Sequence, residues 1–123
     1  MKIAATIARY LLGLMFTIFG LNGFLNFIPQ PVPTGLMLQY MTVMMQSHLF
    51  AAVFAVELVA GLLLLANKFV PLALTLLAAL LYNILAFHLT MNPEGIAPGL
   101  VAAILWILLF LQHRDAFDGI LKP

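Results

Sequence analysis

Few side chains in this chain can do chemistry, and the most demanding is Glu57, which lies between two unbroken apolar runs, Leu49–Val56 and Leu58–Ala66. The surroundings are apolar throughout: 65% of the 123 residues are hydrophobic and only 7% are charged, far outside the range of a soluble globular domain. A charged side chain at mid-membrane costs roughly 2.5–3.5 kcal/mol on insertion scales. Glu57 therefore needs a partner, a proton or a water-filled cavity.

Other polar groups fall at similar depth. With a helical rise of about 1.5 Å per residue, Glu57 lies roughly 13 Å, Asn83 roughly 12 Å and Asn22 about 9 Å below the outer ends of their spans. Thr75, Ala79, Tyr82, Asn83, Ala86 and Thr90 form a small and polar stripe at helical spacing. Ala60 and Gly61 share the face of Glu57 and permit close approach of a neighbour. Together these features predict Glu57, Asn83, Tyr82 and Asn22 facing one another in the outer half of a bundle. Two roles fit that arrangement. In one, the amides and phenol hydrogen-bond Glu57 and fix helix register, at about 1 kcal/mol per interhelical bond. In the other, they line an outward-facing pocket for a quinone headgroup, a lipid headgroup or a proton.

His48 and His88 both fall near the outer ends of spans and in principle offer axial ligands to haem. Met37, Met41, Met44, Met45 and His48 offer a soft set for copper(I). Interfacial histidines more often anchor or hydrogen-bond, and methionine more often fills gaps, so neither haem nor copper is adopted. Gly13, Thr17 and Gly20 form a small-residue face on the first span, read as packing within the chain rather than as a dimer motif.

These groups need elements to hold them. A spanning helix takes about 20 apolar residues, so four spans fill the chain as one all-α membrane domain. The spans are predicted at about 10–28, 49–66, 70–91 and 96–112. Pro29, Pro31 and Pro33 stop the first; Asn67 and Lys68 turn the chain into the third, with Pro71 in its first turn. Asn92–Gly95 makes the next turn, and His113–Pro123 is a short polar tail. Between the first two spans, Gln39, Thr42 and Gln46 recur at i, i+3 and i+7, the pattern of a short amphipathic helix in the outer interface. Lys2 and Arg9 precede an apolar run in the manner of a signal peptide, but no clear small-residue cleavage site follows, so a retained first span is expected, with Arg9 snorkelling to the interface.

The chain has no cysteine, which excludes disulfides, thiolate metal sites and cysteine-held iron–sulfur clusters. A net charge of +1 argues against a nucleic-acid partner. All five basic residues, Lys2, Arg9, Lys68, Arg114 and Lys122, fall on one side of the four-span arrangement, and the opposite loops carry only Glu94. The positive-inside rule then predicts cytoplasmic termini.

The string ARYLLGLMFTIFGLNGFLNFIPQP, followed by VELVAGLLLLANKFVPLALTLLAALLYNILAFH, resembles the DoxX-like family of small bacterial membrane proteins over nearly the whole chain. The resemblance rests on GLNGF around Asn22, E-x-x-x-G at Glu57 and Gly61, the NKFVPLAL turn, and N-x-x-x-F-H at Asn83 and His88. It implies a four-helix bundle in the bacterial inner membrane, acting as an accessory partner of a redox or detoxifying enzyme. The family takes its name from a subunit associated with archaeal thiosulfate:quinone oxidoreductase, and animal relatives look like receptor chaperones. Without cysteine or a second catalytic group, this chain is not expected to carry thiosulfate chemistry alone. The expected function is a non-catalytic scaffold or accessory subunit within a larger membrane complex. The alternative is a quinone-interacting subunit, or a lipid or small-molecule binder, with Glu57, Asn83, Tyr82, Asn22 and His88 as ligand-binding residues.

Because the natural chain lacks cysteine, topology is open to a clean test. Single cysteines replacing Lys68 and Glu94 should react with a membrane-impermeant maleimide from opposite faces of the bilayer; reaction of both from one face would overturn the four-span arrangement.

Overall fold

The computed structural model describes residues 2–120 and 122–123. They form five helices: α1 (Lys2–Leu25), α2 (Gly35–Gln46), α3 (Leu49–Ala66), α4 (Val70–Met91) and α5 (Ala97–His113), with short 3-10 turns at Pro93–Gly95 and Arg114–Phe117. Four of them, all but α2, are long and apolar enough to cross a membrane, the mark of a multi-pass membrane protein. No strand occurs among the described residues. α1 packs on α3 and α5, and α4 packs on the same two helices, so the spans close a ring in chain order. Leu12, Phe16, Leu64, Leu74, Leu77 and Leu109 fill its centre.

The α1–α3 contact is the tightest. The two helices run antiparallel with their backbones touching: a Cβ built on Gly61 would lie 2.6 Å from the Thr17 backbone nitrogen, and one on Gly20 would lie 2.8 Å from that of Leu58. Gly13 meets the Gly61 carbonyl in the same way, at 3.1 Å. Small residues at these positions allow the dispersion contact that holds helices together where lipid is as apolar as the core. The Gly13, Thr17 and Gly20 face thus packs within the chain, as its spacing suggests.

Two sequence expectations need correction. The first span is not 10–28 but Lys2–Leu25; the helix starts a full two turns earlier because Ala5, Ala8 and Leu12 continue its buried face. It also ends earlier, at Leu25, where Asn26 takes a left-handed conformation at φ 52°. Arg9 does not snorkel. It is only 8% exposed, and its Nη1 donates to the Leu64 carbonyl near the C-terminus of α3. A cation there meets the negative end of the helix dipole, at a carbonyl that also accepts from the Asn67 backbone N–H at 3.2 Å. Its guanidinium also sits 4.4 Å from the Tyr10 ring centroid. α5 is tied to α4 by Trp106, whose Nε1 donates to the Leu74 carbonyl at 2.9 Å, and the tail folds back so that Phe117 packs on Phe110.

The segment between the first two spans is helical. Gln39, Thr42 and Gln46 are exposed along α2 while Met44 is buried. Tyr40 fastens α2 to the bundle through Phe50 of α3 and Phe87 of α4, with ring centroids 5.9 and 5.0 Å away. At the other end of the bundle, Asn67 and Phe69 adopt left-handed conformations that reverse the chain within three residues.

The close α1–α3 approach makes Gly61 intolerant of any side chain. Gly61→Ala should destabilise the protein by roughly 1–3 kcal/mol, because its Cβ would meet the Thr17 nitrogen and the Gly13 carbonyl, backbone atoms that cannot turn aside, as well as the Thr17 hydroxyl. Gly99→Ala should be nearly neutral, since its Cβ meets only the side-chain tips of Leu85 and Ile84 at 3.2 and 3.3 Å. Thermal unfolding in detergent checks the contrast; equal losses would refute it.

Candidate functional site

Two buried polar groups inside this bundle lie on α1 and α3 without partners. Glu57 is 5% exposed, and its Oε2 is buried without a hydrogen-bond partner. Thr17 Oγ1 is the other buried polar side-chain atom left unpaired among the described residues. Thr17 presses on Gly61, one helical turn from Glu57 on α3, and Leu58 faces Gly20, one turn further along α1. Glu57 lies beside that contact on the buried face it shares with Ala60 and Leu64, and the two orphan oxygens are not hydrogen-bonded to each other. Two such groups in one bundle are uncommon, because each unpaired buried polar atom costs about 1–3 kcal/mol.

The expected constellation around Glu57 is not assembled. Tyr82 is 79% exposed, and Asn83 is exposed beside it. Both lie on the outer face of α4, away from the interior that holds Glu57. The whole stripe points that way: Thr75, Ala79, Tyr82, Asn83 and Thr90 are exposed and Ala86 is half-buried. The reason is geometric. Leu74, Leu77 and Leu81 supply the buried face of α4, so residues one position on turn outward. Thr75 and Thr90 satisfy their hydroxyls by donating to Pro71 and Ala86 carbonyls at 2.9 and 2.8 Å.

Asn22 is half-buried and engaged locally. Its Oδ1 accepts from the Ile28 backbone N–H at 2.7 Å, and its carbonyl accepts from Asn26. It closes the end of α1 rather than reaching Glu57. His88 is half-buried, with Nδ1 2.7 Å from the Ile84 carbonyl; since that oxygen can only accept, Nδ1 carries the proton. Its ring meets Phe87 edge-on at 5.1 Å. His48 is exposed at the left-handed start of α3. The described residues contain no cluster of three or more His, Cys, Asp or Glu side chains suited to a metal. Met44 is buried, Met37 and Met41 are half-buried, and Met45 is exposed.

Thr17 was legible only as a small residue, and its orphan hydroxyl depends on the α1–α3 register. A shallow groove of about 280 Å³ on the outer surface between α4 and α5 is another feature that sequence reasoning missed; Ala78, Leu81, Tyr82, Ala103 and Trp106 line it. The signal was present, since Tyr82 and Trp106 are bulky residues flanked by alanines.

Removal of charge at Glu57 should be tolerated and reversal should not. Glu57→Gln should remain within about 1 kcal/mol of the natural protein, whereas Glu57→Lys should lose about 3 kcal/mol or more through an uncompensated buried cation. Thermal unfolding in detergent decides; unfolding by the Gln variant would reveal a cationic partner for the carboxylate.

Comparison of the chain with protein-family models, curated proteins and solved structures returns no match.

Proposed function

We propose that this protein is a non-catalytic, membrane-integral accessory subunit that docks through the outer face of α4 onto a transmembrane helix of another membrane protein. The observation that carries this reading is the outward placement of Asn83 and Tyr82 on a stripe of small residues. A primary amide facing acyl chains leaves its hydrogen-bonding groups unmet, and a facing helix can satisfy them. Thr75, Ala79 and Ala86 let such a helix approach closely. The adjacent groove beside Tyr82 and Trp106 offers a seat for one of its side chains.

In this reading the end of the bundle that carries Lys2, Arg9, Lys68, Arg114 and Lys122 faces the cytoplasm, and the host membrane is the bacterial inner membrane. The resemblance to DoxX-like proteins is consistent with a partner in a redox or respiratory complex. A second reading rests on a separate observation, the unpaired oxygens of Glu57 and Thr17. In it, Glu57 handles a proton for a quinone-linked oxidoreductase that the subunit joins.

Native purification in mild detergent, followed by identification of bound proteins, tests the first reading. The natural protein should retain a different membrane protein. Asn83→Leu should weaken that association about fivefold, the equivalent of one interhelical hydrogen bond. Ala79→Phe should abolish it while leaving the thermal stability of the free subunit unchanged. Recovery of only a self-associated form, or complexes indifferent to both substitutions, would overturn the accessory reading. A Glu57→Gln protein that enters the complex normally yet lowers its activity would favour the second.

A further inference from the structure

The basic end of the bundle holds a second site, independent of α4. A cavity of about 180 Å³ opens there between α1, the α3–α4 turn and the end of α5. About 15 Å³ suffices for one water, so the space admits a considerably larger group. Lys2, Thr6 and Arg9 enter from successive turns of α1, Asn67 from the turn, and Gln112 and His113 from α5. Every one of these side chains can donate a hydrogen bond. No acidic residue lines the cavity; Asp115 and Asp118, the nearest acids in the sequence, are exposed beyond α5.

Arg9 sharpens the picture. One of its N–H groups is held by the Leu64 carbonyl, which fixes the guanidinium in place. Its other nitrogens are absent from the buried, unpaired atoms among the described residues. They therefore reach accessible space, and the space that Arg9 borders is this cavity. A guanidinium anchored at one edge and open at the other is preorganised for an oxyanion. The level is also right. α1 has 24 residues, about 36 Å of helix against a hydrocarbon core of about 30 Å, an excess of about one turn that lets Lys2 and Thr6 stand at headgroup level.

We propose that this cavity binds a phosphate-bearing anion, gripped by Arg9 and Lys2 with Asn67, Gln112 and His113 as further donors, while the Thr6 hydroxyl donates to the Lys2 carbonyl at 3.0 Å. Its sources are the headgroup of an anionic phospholipid or a free phosphate. Basic pockets between spanning helices are suited to anionic headgroups.

The test uses the full chain in an uncharged detergent, with thermal unfolding followed during titration with phosphatidylglycerol, phosphatidylcholine or inorganic phosphate. Phosphatidylglycerol should stabilise at concentrations at least about tenfold below phosphatidylcholine. Lys2→Glu and Gln112→Glu, both at exposed lining positions, should fold normally and weaken that response roughly tenfold or more. Lys122→Glu, which changes net charge as much as Lys2→Glu does but lies outside the cavity, should respond as the natural protein does. A response to inorganic phosphate that equals that to phosphatidylglycerol, and is lost in Lys2→Glu, assigns the site to a free anion. Equal action of the two lipids without any phosphate response would overturn the proposal, as would a Lys122→Glu protein as impaired as Lys2→Glu.

Discussion

Backbone contact between α1 and α3 is the constraint on which the rest of this structure depends. Lipid is as good a solvent for leucine as the bundle interior, so hydrophobicity alone gives spanning helices no reason to associate. Close packing does. Gly13, Gly20 and Gly61 bring two helices together until Thr17 lies on Gly61 and Leu58 on Gly20. That register sets the rest. It lays Arg9 against the Leu64 carbonyl near the C-terminus of α3, and it buries Thr17 Oγ1 against Gly61 beside the face that carries Glu57. α4 and α5 then complete the ring through leucine packing and the bond from Trp106 to Leu74.

The polar groups of so apolar a chain divide according to that seam. Arg9, Asn22 and Trp106 each reach a backbone partner close to a helix end or across a helix contact, and they are accounted for by the fold. Glu57 and Thr17 are enclosed without partners. Tyr82 and Asn83 are turned outward, where a bilayer offers an amide nothing to bond. Groups that the fold does not explain are the natural places to look for function. They point in two directions: outward, to another helix, and inward, to a proton or water.

The sequence made the span count, the turns and the outer helix legible, because prolines and Asn67 punctuate the chain chemically and do not depend on tertiary context. It also marked Glu57 as interior, and the glycine face of α1 as an internal contact. It misled about Arg9, since a cation near an N-terminus resembles an interfacial anchor, although Ala5, Arg9, Leu12 and Phe16 already share one helical face. Its largest error was the orientation of α4. In water, a small and polar stripe opposite leucines would be read at once as the exposed side. In a membrane the rule loses its sign, because both environments are apolar and only packing chooses between them. Buried Leu74, Leu77 and Leu81 made that choice, and they carried Asn83 away from Glu57.

This separation bears on what Glu57 can contact. An outward-open pocket shared with Tyr82 and Asn83 would have given a quinone ring both an entrance and a set of donors. With those residues on the outer side of α4, the acid is left 5% exposed on the buried face of α3, in line with Ala60 and Leu64. A ring headgroup finds no such set of donors beside Glu57, whereas a proton or a single water needs none. Any redox role for Glu57 is therefore better assigned to proton exchange with a cofactor held by a partner subunit than to direct recognition of a headgroup. Under the proposed docking, the outer face of α4 and the interior acid would be two parts of one arrangement: the stripe would fix where the partner sits, and the partner would determine whether the acid has anything to exchange with.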